Sequence, residues 1–243
     1  MSMEPRLLSG DTIIEVWSEA FRLLADDRAR FNLTLHVRQP LAYTQPRLAA
    51  LNPRGVDRNA RSVFDVASTI FPARCARWDL PVAEFTEHYR EAYERLLSRG
   101  PRSWGCYFSR LAEFGDEKID QLERTVAGLS TWGWGHKAAF VVHFSSSATD
   151  KLKWFGAPCL QYAQFSVGPD RALSLTAVYR SHDYFYKTLG NLLGLSRLLD
   201  YVACKTAHPV GSLTCLSAYA FVDASRAKVT ALLNKANGNR IIV

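Results

Sequence analysis

Five cysteines, Cys75, Cys106, Cys159, Cys204 and Cys215, are the candidate nucleophiles of this chain. A cysteine attacks as its thiolate, and a free thiol titrates at about 8.5, so a reactive one needs a cation beside it. The five are an odd number at irregular spacings, with no C-x-x-C and no cysteine–histidine pattern of a zinc site. They are expected to be thiols, most of them buried as small apolar groups. Cys204, on an apolar helix, and Cys215, on a strand, are assigned to packing. His136, His143, His182 and His208 show no metal-ligand spacing and are read as structural or surface residues. Arg180 and Asp183 could form a helix-start ion pair, worth roughly a few tenths of a kcal/mol. Asn191 could cap or kink the same helix, and Tyr107 taken alone reads as core. The run Trp132-Gly133-Trp134-Gly135 is read as a loop with packed rings, with base stacking as the alternative.

These residues need elements to position them. The chain has 243 residues, 48% of them hydrophobic and 22% charged, an ordinary globular composition that excludes a disordered chain, a collagen-like repeat and a coiled coil. No apolar run reaches the roughly 18 residues that span a bilayer. The first residues lack the basic start and apolar run of a signal peptide, so a cytoplasmic location is expected. The net charge of +7 is dispersed, and the densest cluster, Arg54 to Arg61, holds three arginines. That favours an anionic ligand or plain solubility over a nucleic-acid stripe.

Thr12 to Glu15 is a capping box, and Ile13, Val16, Trp17, Ala20, Phe21 and Leu24 share one helical face behind it. Phe31, Leu33, Leu35 and Val37 alternate as a strand. Residues 38–60, with three prolines, read as an irregular surface loop. Residues 61–71 could be a short buried helix. Helices are expected over 84–97, ended by Arg99-Gly100-Pro101, and over 116–129. Residues 137–144, 159–167 and 172–180 read as strands, the last two joined as a hairpin through Gly168-Pro169-Asp170. A long core helix is expected over 183–204, a strand within 211–222 and a final helix over 224–236. Strands and helices do not alternate regularly, so the class is α+β in a single domain over 1–243, with helices packed on one face of a largely antiparallel or mixed sheet.

Several of these residues recur in a familiar order. Pro158-Cys159 is followed by Gln164-Phe165, and Arg180-Ser181-His182-Asp183-Tyr184-Phe185 by Asn191 eight residues after the Asp. Pro209-Val210-Gly211 follows the long helix. Upstream stand Trp104-Gly105-Cys106-Tyr107 and the helix 119–129. Over about half the chain this order resembles the thymidylate synthase family. The resemblance implies a thymidylate-synthase-like mixed sheet with one long buried helix, and a homodimer built on sheet-to-sheet packing. It implies that Cys159 adds to ring position six of a pyrimidine, making position five a carbon nucleophile toward the one-carbon unit of 5,10-methylenetetrahydrofolate. Arg180 then favours the thiolate, Asn191 reads the ring edge with a donor and an acceptor, and Tyr107 helps order water and proton transfer. Gln164, Ser181, Arg180 and Lys137 join Asn191 as substrate-binding candidates. Asp183 resembles the carboxylate that contacts the folate pterin, and Lys187 stands where the family has a glycine beside the folate.

Other parts of the family pattern are replaced. Its paired phosphate-binding arginines align with His136 and Lys137, and its Arg-Thr-Gly loop has no counterpart in residues 22–45. Its sugar-binding His and Tyr appear as Phe221 and Asp223, and its folate-binding Glu as Val66, with Asp65 one position off. The expectation is an enzyme that transfers a methyl or hydroxymethyl group to a pyrimidine-like ring carrying fewer phosphates, a different sugar or no sugar. The alternatives are a non-catalytic ring-binding protein on the same fold and, less favoured, a nucleic-acid-binding module.

Overall fold

The computed structural model describes residues 4–97, 105–131, 140–150 and 156–238. The chain opens with β1 (Arg6–Gly10), α1 (Ile13–Asp27) and β2 (Ala29–Val37). The capping box of α1 is formed: Thr12 Oγ1 accepts from the Glu15 N–H at 3.1 Å, and the Glu15 carboxylate accepts from the Thr12 N–H at 3.4 Å. The six apolar residues of α1 are all buried. The Trp17 indole donates to the Tyr184 carbonyl at 3.0 Å, which ties α1 to the segment that will carry the site.

Residues 38–60 are more ordered than their prolines suggest. They hold α2 (Gln45–Ala50) and a 3-10 turn at Pro53–Gly55, with Leu48 and Leu51 buried. The apolar pair anchors a segment whose end is pinned elsewhere: Asp57 Oδ2 accepts from Tyr186 Oη at 2.7 Å and from Lys228 Nζ at 2.6 Å. The expected short helix follows as α3 (Val63–Ser68), capped by Ser62 and Asp65. Next come α4 (Val82–Leu97), α5 (Tyr107–Ala112) and α6 (Gln121–Thr131). The helix expected from 116 begins only at Gln121. Positive φ at Gly115 and Lys118 makes a turn there, closed by a Phe114–Ile119 bridge.

The remaining elements are β3 (Phe140–His143), β4 (Leu160–Val167), β5 (Leu173–Tyr179), β6 (His182–Asp183), α7 (Thr188–Lys205), β7 (Val210–Phe221) and α8 (Arg226–Gly238). The strands form one mixed sheet of seven, in the order β1-β2-β7-β5-β4-β3 with β6 also on β7. The pairs β1/β2, β5/β7 and β6/β7 are parallel; β2/β7, β4/β5 and β3/β4 are antiparallel. The fold is therefore α+β, with eight helices around the sheet among the described residues.

Period-two alternation separates the two faces of the sheet. Leu33, Leu35, Val37, Ala163, Phe165, Leu175, Ala177, Tyr179, Leu213, Cys215 and Ser217 are buried on one face. On the other, Val141 and Tyr162 are each 36% exposed and Thr176 is exposed. The α7 helix is buried nearly all round and contacts β5 and β7. It also packs closely on α3. A Cβ on Gly190 would lie 2.6 Å from Val66 Cβ and 2.8 Å from the Val63 carbonyl, so only glycine allows this approach. That packing brings the start of α3 beside the start of α7. No helix among the described residues is long and apolar enough to cross a membrane.

Candidate active site

A cleft of about 430 Å³, ordinary for a small-molecule site, opens where β4, β6, α3, α5 and α7 converge. Cys159, Tyr107, Ser181, His182, Asp183, Lys187 and Asn191 all line it, with Arg61, Val66, Thr69, Cys106 and Phe221. The fold thus gathers residues from five separate stretches of sequence.

Cys159 immediately precedes β4, where the ladder to β5 slips between Leu160 and Tyr162. Its N–H and that of Leu160 both donate to Tyr107 Oη, each at 3.3 Å. Tyr107 is the first residue of α5. Gly105, at φ +87°, turns the chain ahead of the helix in a conformation that L side chains rarely adopt. Burial, then the neighbouring Cys159, pushes the Tyr107 hydroxyl well above its ordinary range, so it stays protonated.

Arg180 sits at the rim and does not pair with Asp183. Its Nε donates to the Pro158 carbonyl at 3.0 Å and its Nη2 to the Ala157 carbonyl at 3.4 Å, so the guanidinium clasps the residues just before Cys159. The thiol is pushed up by burial, while Arg180 and then Lys187 pull it back down. Burial outweighs both cations, which holds the sulfur as a thiol.

The segment after Arg180 does not begin the long helix at 183. His182 and Asp183 form β6 against Ala220 and Phe221, and α7 starts at Thr188. Asp183 Oδ1 accepts from the N–H groups of Phe185, at 2.9 Å, and Tyr186, at 3.2 Å, and this shapes the turn into α7. Burial raises the Asp183 carboxyl, those two backbone bonds lower it, and Asp223 raises it again. Lys187 is lowered by desolvation and then by Arg61, with Asp183 opposing.

Asn191 is buried in the first turn of α7, whose N-cap is Lys187; its side-chain nitrogen lies 3.0 Å from His182 Nε2. His182, read from sequence as a structural or surface residue, is buried and hydrogen-bonded to Ser217 and Asn191. It lines the cleft, is fully desolvated, and titrates at about 3, so it is neutral. Its flanks, Ser181 and Asp183, were the available signal.

Three sequence expectations fall elsewhere. Gln164 is not part of the cleft: it lies in β4 opposite Val141 and Thr176, on the sheet face opposed to buried Ala163 and Phe165. Strand alternation turns it away from the helices. Lys137, with His136, Trp104 and the 132–135 run, lies outside the described residues. Cys204, assigned to packing, is exposed near the end of α7, whereas Cys215 is buried as expected. Sequence reasoning missed Thr69 and gave Arg61 and Cys106 no place at the site; all three reach the cleft through the packing of α3 and α5. Among the described residues no group of three or more His, Cys, Asp or Glu side chains could hold a metal ion.

No protein-family model matches the chain. It is similar to a protein of Methanococcoides burtonii named "Putative thymidylate synthase", 30% identical over 148 residues, which are 59% of this chain and 66% of that protein. A protein of the same name from Methanosarcina mazei is 33% identical over 141 residues, 57% of this chain and 63% of the other. Another, from Methanothermobacter marburgensis, is 32% identical over 117 residues, 48% of this chain and 49% of the other. The matched stretch spans just under two thirds of the first relative's length and less of the others. Together with the mixed sheet, the buried α7 and the ordered Cys159-to-Asn191 residues at one cleft, these similarities support a diverged member of the thymidylate synthase family.

Proposed function

We propose that the chain is a one-carbon transferase that uses Cys159 to activate a pyrimidine-like ring. The observation that carries this reading is the convergence of Cys159, Tyr107 and Asn191 on one cleft with Arg180 and Lys187 near the sulfur. The Cys159 thiol gives up its proton and its sulfur bonds to ring position six. The displaced π pair moves to position five, which becomes a carbon nucleophile, and the negative charge extends onto the ring carbonyl. Lys187 and Arg180 favour the thiolate needed for the attack. The Tyr107 O–H, held protonated beside Cys159, is placed to move a proton through water near position five. Asn191 presents its amide to the ring edge.

Methylenetetrahydrofolate would supply the electrophilic one-carbon unit. Asp183 fits it, because Oδ2 makes no hydrogen bond among the described residues and can accept from a pterin N–H. Val66 and Lys187 change the rest of that surface, one apolar and one cationic. Phe221 lines the cleft where the family has a sugar-binding histidine, which supports a ligand with a different sugar or none. The open sheet face with Val141 and Tyr162 supports a homodimer packed sheet to sheet. A cytoplasmic location goes with this reading.

Two experiments test it. If Cys159 adds to the ring, hydrogen at ring position five should exchange with deuterated solvent without any cofactor, and Cys159→Ser should abolish the exchange. A second reading, a non-catalytic ring-binding protein, is favoured by burial keeping the Cys159 thiol protonated; binding without exchange would establish it. Calorimetry with deoxyuridine monophosphate, the nucleoside and the free base tests the ligand. The monophosphate should bind on the order of a hundredfold more weakly than a site with two further charge-assisted phosphate contacts would allow. Tight monophosphate-selective binding would instead assign the phosphate to Arg61 and Lys187.

A further inference from the structure

Behind the cleft runs a buried polar chain that the nucleophile does not need. Asn191 Nδ2 lies 3.0 Å from His182 Nε2, His182 Nδ1 lies 3.0 Å from Ser217 Oγ, and Ser217 Oγ lies 3.1 Å from Tyr184 Oη. All four residues are buried; His182 and Asn191 line the cleft, while Ser217 is on β7 and Tyr184 precedes α7. The imidazole stacks flat on Tyr179, with centroids 3.9 Å apart and planes 4° apart, which fixes its plane.

An amide NH₂ only donates, so the Nε2 that faces it must accept. A neutral imidazole with an accepting Nε2 carries its proton on Nδ1, and that N–H donates to Ser217 Oγ. In the opposite polarity Nε2–H would donate to Asn191 Oδ1, and the amide would be turned over. The imidazole tautomer and the amide orientation are therefore one variable.

We propose that His182 is a positioning residue whose Nδ1–H tautomer, held by Ser217, fixes which atoms of the Asn191 amide read the ring. With one N–H committed to His182, Asn191 offers the cleft its carbonyl oxygen and its second N–H. Oδ1 makes no hydrogen bond among the described residues. An acceptor beside a donor matches a lactam edge, N–H next to C=O, as in a uracil-type ring. The turned amide would present two N–H groups and favour an edge without the ring N–H, as in a cytosine-type ring. The ring preference rests on the reading given under Proposed function; the tautomer does not.

The test uses the whole protein with ¹⁵N-labelled histidine, the His182 signals being assigned by their loss in His182→Gln. Nitrogen NMR should show Nδ1 protonated and Nε2 unprotonated in the wild type. Ser217→Ala removes the acceptor of the Nδ1 proton and should shift the tautomer toward Nε2–H. It should also lower the ratio of uracil-type to cytosine-type nucleoside affinity by about tenfold, a change that Ser217→Thr, which keeps the hydroxyl, should largely reverse. A wild-type ring protonated on Nε2 would overturn the proposal, and so would a Ser217→Ala protein that changes tautomer but keeps the wild-type ratio. If neither nucleoside binds the wild type, the ring reading fails, and the nitrogen spectra still decide whether His182 holds Asn191 as described.

Discussion

The two walls of the cleft are built differently. On the hairpin side, Cys159 is half-buried, its Arg180 guanidinium stands at an exposed rim, and its surroundings pull in opposite directions. On the helix side, Asn191 and His182 are sealed in the core, linked to Ser217 and Tyr184 and braced by the α3–α7 contact at Gly190. In the proposed reading, reactivity sits where small electrostatic changes can tune it, and recognition sits where a side chain can move only with the fold around it. Substitutions on the first wall should therefore alter chemistry at constant stability, and those on the second should alter stability and selectivity together.

The largest effect belongs to the first wall. Cys159→Ser should abolish position-five exchange completely, since a hydroxyl is far less nucleophilic near neutral pH, and should leave the thermal midpoint within a few degrees of wild type. A midpoint loss of ten degrees or more would place Cys159 among the structural residues and erase the contrast.

The second wall should dominate the acid limb of stability. His182 titrates at about 3 when folded and near 6.5 when unfolded, so between those values the unfolded chain takes up a proton that the folded one refuses. Stability is therefore full above pH 6.5 and falls toward pH 3, by up to about 1.4 kcal/mol per unit. Asp57, lowered to about 2 by Lys228 and Tyr186, adds a loss of the same sign at lower pH. Asp183, raised by burial, works with the opposite sign as pH falls through its folded value. Urea unfolding of wild type and His182→Gln between pH 7 and 4 should give a flatter profile for the variant; parallel profiles would mean that His182 is not held neutral.

Gly190→Ala probes the brace itself. The new Cβ has no room beside Val66, and overpacking of this kind costs about 1–3 kcal/mol. Denaturant unfolding should show that loss together with weaker ring binding, because Arg61, Val66 and Thr69 must shift with α3. Wild-type stability would mean that the two helices can separate freely.

The smallest effect returns to the rim. Arg180→Gln removes a cation that lowers the Cys159 thiol, so the thiol should move further up and its alkylation near neutral pH should slow severalfold. Iodoacetamide rates against pH would read this, and an unchanged profile would assign Arg180 only to the carbonyls of Pro158 and Ala157.

What could be read from the sequence divides along the same line. The capping box at Thr12 and the β4–β5 hairpin are local patterns, and each appears where expected; Cys159 and Asn191 line one cleft. The misreadings are matters of direction and distance. Gln164 matches by spacing yet faces the open side of the sheet, because sequence position does not say which face is covered. His182 looked unremarkable because its partners Ser217 and Asn191 are joined to it only by the parallel pairing of β6 with β7 and by the start of α7. The strand β1 escaped notice because Leu7 points outward, 63% exposed, and leaves only a short apolar signal. Residues 38–60 read as loop from their prolines, although α2 is only six residues long and rests on the burial of Leu48 and Leu51.

The central claim is that Cys159 bonds covalently to a pyrimidine-like ring. Intact-mass spectrometry after incubation with uracil-type and cytosine-type nucleosides, followed by peptide mapping, tests it most directly. The account predicts a protein mass increased by one whole ring compound, mapped to the peptide bearing Cys159 and missing from Cys159→Ser. An unmodified Cys159 with a ring that calorimetry shows to be bound in the cleft would contradict it.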